Sequence, residues 1–173
     1  LITRNGERMK DKLKFIQAGS EVTRYHTVKT LTPETVGHHS HGVAMLCLML
    51  MGCQTTVELL KAALCHDLAE HQLGDIPSPA KREYGIGEQV NELENRLLNS
   101  VGLSVSLYPD EARVLKLADI AQGALFCVRE MEMGNSGMKI VYERYRSYAE
   151  GFVLLGRERE LFDFINSQYE EAK

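Results

Sequence analysis

Apolar positions recur at three- and four-residue steps along nearly the whole chain, and no stretch alternates with a period of two, so the pattern predicts an all-α protein. A first amphipathic helix is expected over 7–18, with Met9, Leu13, Phe15 and Ile16 apolar and Gly19-Ser20 as its end. Residues 22–33 have no helical period and several β-branched side chains, and read as an extended connector. Pro33-Glu34 or Thr35 opens a second helix, and Gly52 closes it. Its apolar stripe is Val36, His39, Val43, Leu46 and Leu50, which places an imidazole on the buried face while His38 and His41 point elsewhere. Thr55 or Thr56 caps a third helix, with Glu58 near the position of a capping-box partner. That helix is apolar over 57–65 and then turns polar at His66, Asp67 and Glu70. Leu59, Ala63, His66 and Glu70 share one face, with Asp67 one step round.

Residues 71–79 carry Gly74-Asp75 and two prolines and read as a loop leading to the basic pair Lys81-Arg82. An amphipathic helix follows over 87–101, with Val90, Leu93, Leu97 and Leu98 apolar. Pro109-Asp110 starts a long helix that runs to about residue 131. Ala112, Leu115, Asp119, Gln122 and Phe126 share a stripe in it, so Asp119 lies on an otherwise apolar face. A flexible break at 134–137 precedes two closing helices, 138–148 and 157–170, rich in Tyr, Arg and Glu. No internal repeat is present, and the expected architecture is a single-domain helical bundle over 1–173.

Composition narrows the partners. A length of 173 residues supports one domain with a substantial core, and the apolar and charged fractions, 44% and 25%, are ordinary for a soluble protein. The net charge of −4 gives no electrostatic reason to expect a nucleic-acid polymer, although a small anion remains compatible with local cations. Cys47, Cys53, Cys65 and Cys127 show no C-x-x-C spacing, so they are expected to be reduced thiols in a cytoplasmic protein, and a thiolate zinc site is not expected. The longest apolar run, 43–53, falls well short of the roughly 20 residues needed to span a membrane. No signal peptide is read. The chain opens at Leu1 without an initiator methionine, so residues missing or processed ahead of it are expected.

Three helices thus each bring ionisable side chains from the buried side: His39, then His66 and Asp67, then Asp119. Burying unpaired carboxylates costs several kcal/mol each. A divalent cation would compensate all four at once, and a closed hydrogen-bonded network without metal is the alternative. Two imidazoles and two carboxylates suit Mn, Co or Zn, and also Mg or Fe.

The ordered set His39 … His66-Asp67 … Asp119 resembles the signature of the HD-domain metal-dependent phosphohydrolases. Arg24-Tyr25, the segment Glu34-Thr35-Val36-Gly37-His38-His39-Ser40, His66-Asp67-Leu68-Ala69-Glu70, Gly74-Asp75-Ile76-Pro77-Ser78-Pro79 and Lys116-Leu117-Ala118-Asp119 are similar to the 5'-deoxynucleotidase branch, which includes small phage-type dATP triphosphohydrolases. The resemblance covers roughly residues 20–130. It implies that His39, His66, Asp67 and Asp119 hold one metal ion and that Glu70 is the catalytic carboxylate. It also implies that Asp75 meets the deoxyribose and that Arg24 and Lys81 contact phosphate. Tyr25 stands where the family usually has Trp, and His38 where it usually has Glu. His26 and His71 do not match the order of a second metal site.

The resemblance leads to metal-dependent hydrolysis at the 5' phosphate of a deoxynucleotide. In one version a dNMP yields deoxynucleoside and phosphate. In another a dNTP releases triphosphate, with Arg24, Lys29, Lys81 and Arg82 as the cations. A non-catalytic HD-fold binding module is the reading of a different class. The apolar faces of the closing helices and the tyrosines from Tyr142 to Tyr148 lead us to expect a homo-oligomer, a dimer or larger.

Overall fold

The structure is a computed structural model that describes the backbone of residues 2–173 and side chains from Arg8 onward, so Glu7, at the expected start of the first helix, lies outside the described side chains. In chain order the helices are α1 (Ile2–Ser20), α2 (Val36–Met51), α3 (Val57–Cys65), α4 (Glu70–Leu73), α5 (Ser78–Glu83), α6 (Gly87–Ser100), α7 (Pro109–Glu132), α8 (Lys139–Ala149) and α9 (Arg157–Glu171). Among the described residues the only strand-like pairing is an isolated bridge between Thr23 and Thr35. No described helix is long and apolar enough to cross a membrane.

Helix α7 is the axis of the bundle and packs on α2, α3, α8 and α9. It is buried over far more than the single stripe expected: Ala112 is exposed, while Val114, Leu117, Ala118, Ile120, Ala121, Ala124 and Phe126 are buried. Val114 and Ala118 pack with Val43, Cys47, Leu59 and Ala63 of α2 and α3. The opposite side packs with Met138, Tyr142, Ile165 and Tyr169. The apolar faces of α8 and α9 are therefore largely taken up by the chain's own core, where Tyr142 stacks on Tyr169 at 3.9 Å.

Two caps expected from the sequence form. Thr35 accepts from the backbone N–H of His38 at the start of α2, and Thr56 accepts from that of Leu59 at the start of α3. With Thr56 as the cap, Leu59 occupies the third position and Glu58 is no capping-box partner. Glu111 serves instead, accepting from the Thr56 hydroxyl at 2.5 Å and from the Tyr108 N–H at 3.0 Å, so one carboxylate ties the starts of α3 and α7.

The principal departure lies between α3 and α4. A continuous helix through Glu70 is not formed, because the backbone tightens after Cys65 with bonds from Leu68 N to Cys65 O (3.1 Å) and from Glu70 N to Asp67 O (3.0 Å). The turn sends Leu68 and Ala69 into a cluster with Phe15, Cys65 and Leu98, and leaves His66 and Asp67 facing the other way. Gly19 makes this possible, since a Cβ there would collide with the Leu68 backbone. The segment 71–79 is likewise not all loop: it holds most of α4 and the start of α5, whose first turn contains Pro79.

The connector 22–35 is extended but firmly held. Arg24 N donates to Glu34 O, and Val36 N to Val22 O, each at 2.9 Å. Its far end is anchored by Glu130, a fully buried carboxylate of α7 that accepts from Leu31 N (2.6 Å), Thr32 N (2.8 Å), the Thr32 hydroxyl (2.6 Å) and the Asn135 amide (2.8 Å). All four cysteines are free thiols, with Cys53 the exposed one.

Candidate metal centre and pocket

Helix α2 delivers His39, the turn after α3 delivers His66 and Asp67, and α7 delivers Asp119 to one point. His39 Nε2 lies 3.5 Å from Asp67 Oδ2 and 3.2 Å from Asp119 Oδ1, and His66 Nε2 lies 3.3 Å from Asp67 Oδ2. Ligand atoms of His39, His66 and Asp67 all fall within 4.8 Å of one another, a grouping that could hold a metal ion. The Nδ1 atoms of both rings are engaged, His39 with the Gln122 amide oxygen and His66 with the Ala63 carbonyl at 2.9 Å. Both Nε2 atoms are buried without a hydrogen-bond partner and face the carboxylates. Two unpartnered imidazole nitrogens and the Asp67 carboxylate form a donor set that fits a divalent cation, with Asp119 outside that tight grouping but beside His39 Nε2.

The electrostatics agree. Burial alone would lower the His66 pKa, but Asp67 and Asp119 outweigh it and push it up to about 9. Burial would raise both aspartates, yet His66, Arg24 and His39 hold Asp67 well below the usual carboxylate range, and Lys116 with the two imidazoles does the same for Asp119. The negative charge in this cluster retains a proton, and a cation is the natural replacement for it.

Glu70 lies at the start of α4, buried, with Oε2 unpartnered. Burial, and then repulsion from Asp67 and Asp75, raises its pKa to about 9. A cation among the neighbouring ligands would oppose that shift.

Glu70, Asp67 and Asp119 open onto a cavity of about 320 Å³, and Arg24, Tyr25, Asp75 and Lys81 all line it. The structure therefore gathers the site residues read from the sequence around one cavity, except the candidate-ligand histidines, which lie just beneath it, and the cations Lys29 and Arg82. Their individual settings differ. Arg24 is committed to two carboxylates, with Nη1 donating to Asp67 Oδ2 at 2.9 Å and Nε in ion contact with Glu34 at 3.2 Å. Lys81 pairs with Glu94 at 3.3 Å, and Asp75 lies 3.6 Å from the His26 ring. Tyr25 stacks on Phe126, and its hydroxyl meets that of Tyr145. Lys29 is exposed and does not line the cavity, and Arg82 lies over the Tyr148 ring at 3.7 Å.

The cations that do reach the cavity beside Arg24 and Lys81 are Lys116 and Arg144. Lys116 was legible, one helical turn before Asp119, and bonds it at 2.8 Å. Arg144, Tyr145 and Tyr148 come from α8, whose Val141, Arg144, Tyr145 and Tyr148 follow the spacing of one helix face. Gln122 lies on the stripe of Asp119 and Glu34 in the segment leading to His39, but their roles are not readable there, because those roles exist only through each other.

Residues 11–118 match the model of a family described as HD domain. A dATP triphosphohydrolase of cyanophage S-2L is 29% identical over 113 residues, 62% of this chain and 64% of the relative, so the match spans just under two thirds of the relative's length. Among solved structures, the fold resembles that of the cyanophage S-2L HD phosphohydrolase DatZ bound to dA and one catalytic Zn2+ ion, with a TM-score of 0.61 at 22% identity over 91% of this chain and 96% of that one. It also resembles the PH0347 protein from Pyrococcus horikoshii OT3, with a TM-score of 0.63 at 23% identity over 94% and 99% of the two chains. At these identities the two structures establish the fold.

Proposed function

The chain belongs to the HD domain family, and we propose that it is a phosphohydrolase acting at the 5' phosphate of a deoxynucleotide, with one divalent metal ion held by His39, His66, Asp67 and Asp119. The observation that carries this reading is the pair of buried, unpartnered imidazole nitrogens facing two carboxylates at the floor of a cavity with cations in its walls. A metal ion held there would supply Lewis acidity toward water and the phosphoryl oxygen. Zinc is the first ion to test, being the ion in the DatZ structure, followed by Mn and Co.

The chain's own residues do the rest. Glu70 Oε2, buried and unpartnered, takes the proton of the attacking water. Lys81, Lys116 and Arg144 hold phosphate oxygens, while Arg24 keeps Asp67 in place more than it grips substrate. Asp75 accepts from a sugar hydroxyl, and Tyr25 with Tyr145 walls the pocket beside it. Glu70 and all four ligands converge, which favours an enzyme over a binding module.

Release of triphosphate from a dNTP is the version we favour. Lys116 and Arg144 add positive charge to the cavity beyond Lys81, and the similar phage protein is a dATP triphosphohydrolase. Release of phosphate from a dNMP is supported by the prior pairing of Lys81 with Glu94 and Lys116 with Asp119, which leaves less free charge for a polyphosphate. Self-association belongs to the same reading, with exposed Ile140 and Phe164 as candidate contacts and sedimentation velocity as its measure. The deciding experiment incubates the protein with each dNMP and dNTP plus Zn, Mn, Co or Mg and follows phosphate and triphosphate separately. Triphosphate from a dNTP supports the favoured version, phosphate from dNMPs alone selects the other, and no turnover with any metal rejects both.

A further inference from the structure

The side chain of Gln122 is specified at both ends of its amide. His39 is fully buried, and its Nδ1 meets Gln122 Oε1. An amide oxygen only accepts, so Nδ1 carries a proton, and Nε2 is the ring nitrogen left to face Asp67 and Asp119 as a ligating atom. An amide could turn end for end and offer its nitrogen instead. Glu34 prevents this, because its Oε1 accepts from Gln122 Nε2 at 2.8 Å and an ionised carboxylate has no proton to give. The second Glu34 oxygen faces Arg24, which in turn donates to Asp67. A closed path therefore runs Asp67, Arg24, Glu34, Gln122, His39, starting and ending on two members of the ligand cluster.

The backbone is shaped to admit this path. Gly42 lies one helical turn after His39, and a Cβ there would stand 2.8 Å from Gln122 Cγ. His66 has no equivalent requirement, since its Nδ1 is fixed by the main-chain carbonyl of Ala63. One imidazole is thus oriented by backbone, the other by a side chain that substitution can remove.

We infer that Gln122 is a positioning residue that holds His39 in the Nδ1–H tautomer, with Glu34 and Arg24 fixing the sense of its amide. An amide sets the ring without adding a negative charge that would favour the imidazolium over a metal ion. The inference rests on the proposed reading of His39 as a ligand, so the test separates the two.

Co2+ is titrated into metal-free wild type, Gln122→Leu, Gln122→Glu and His39→Ala and followed by its visible absorption, with thermal melts as a check of folding. The His39 tautomer of the metal-free wild type is read by 15N NMR. The expected results are an Nδ1–H tautomer, Co2+ affinity weakened about 10- to 100-fold in Gln122→Leu, and a smaller loss in Gln122→Glu, which keeps an acceptor but adds a negative charge. Wild-type affinity in Gln122→Leu, equal losses in the Leu and Glu variants, or an Nε2–H tautomer would each overturn the inference. Should Gln122→Leu not fold, the wild-type tautomer and the Gln122→Glu titration still decide it. Wild-type affinity in His39→Ala would instead reject the ligand assignment.

Discussion

The hydroxyls of Tyr25 and Tyr145 meet at 2.9 Å across the cavity although 120 positions separate them in the chain. Tyr25 reaches that point in a left-handed backbone conformation, φ 58°, and its ring stacks on Phe126 at 4.7 Å. Such a conformation is unfavourable for a bulky residue, and the stacking and the hydroxyl pair hold it. Gly123 completes the arrangement, because any Cβ there would overlap the Tyr145 ring.

Gly123→Ala should accordingly disturb the pocket more than the fold. The added methyl displaces the far end of one side chain, while alanine favours the helix by about 1 kcal/mol. The melting temperature is expected to change little. KM for the deoxynucleotide should rise roughly tenfold, equivalent to about 1.4 kcal/mol, with kcat less affected. A KM equal to wild type would show that Tyr145 does not wall the substrate.

Glu70→Gln removes the proton acceptor while keeping shape and polarity. Turnover should fall by about 10²- to 10⁴-fold, with Co2+ affinity close to wild type. Steady-state kinetics and the same absorption titration measure both. A variant that keeps its turnover would transfer the base role to another group.

Metal removal should destabilise the protein, since an ion bound by the folded site alone adds its binding free energy to stability. A ligand at 1,000 times its Kd stabilises the folded state by about 4 kcal/mol. Melting by calorimetry should therefore shift upward on adding Zn, Mn or Co and return with chelator. Asp119→Ala should abolish that metal-dependent shift. Retention of the shift in this variant would remove Asp119 from the ligand set.

Glu130 predicts an acid limit to stability. Burial would raise its pKa, but the N–H groups of Leu31 and Thr32, the Thr32 hydroxyl and the Asn135 amide hold it down at about 2. An unfolded glutamate titrates near pH 4.3, so this carboxylate contributes fully above about that pH and progressively less as pH falls toward 2. Glu130→Gln should cost about 3 kcal/mol at neutral pH, because one side of the amide can no longer accept. It should also lose less stability than wild type between about pH 4.3 and 2. Denaturant titrations across that range provide the comparison, and parallel pH profiles for the two proteins would refute the assignment.

Much of the fold was legible because it depends on local pattern. The stripe Val36, His39, Val43 fixed the buried face of α2, Thr35 and Gly52 marked its ends, and Pro109 marked the start of α7. His39, His66, Asp67 and Asp119 were legible as a group because ionisable residues on buried positions demand compensation. The break of the third helix after Cys65 was not, since helical spacing continues through Glu70 and the turn goes with the packing of Leu68 beside Gly19 and among Phe15 and Leu98, on other elements.

The sequence by itself determined most of the helices and the four candidate ligands, because each follows from a residue type at a helical position, while the role of Glu70 rests on the resemblance of its motif. The tertiary structure alone decided which cations reach the cavity and how His39 is oriented. It turned Lys29 away, committed Arg24 to Asp67 and Glu34, and brought Lys116 and Arg144 into the walls. It also placed Gln122 between His39 and Glu34. These are relations between side chains on different elements, set by how α2, α7 and α8 pack, and no spacing along one chain encodes them.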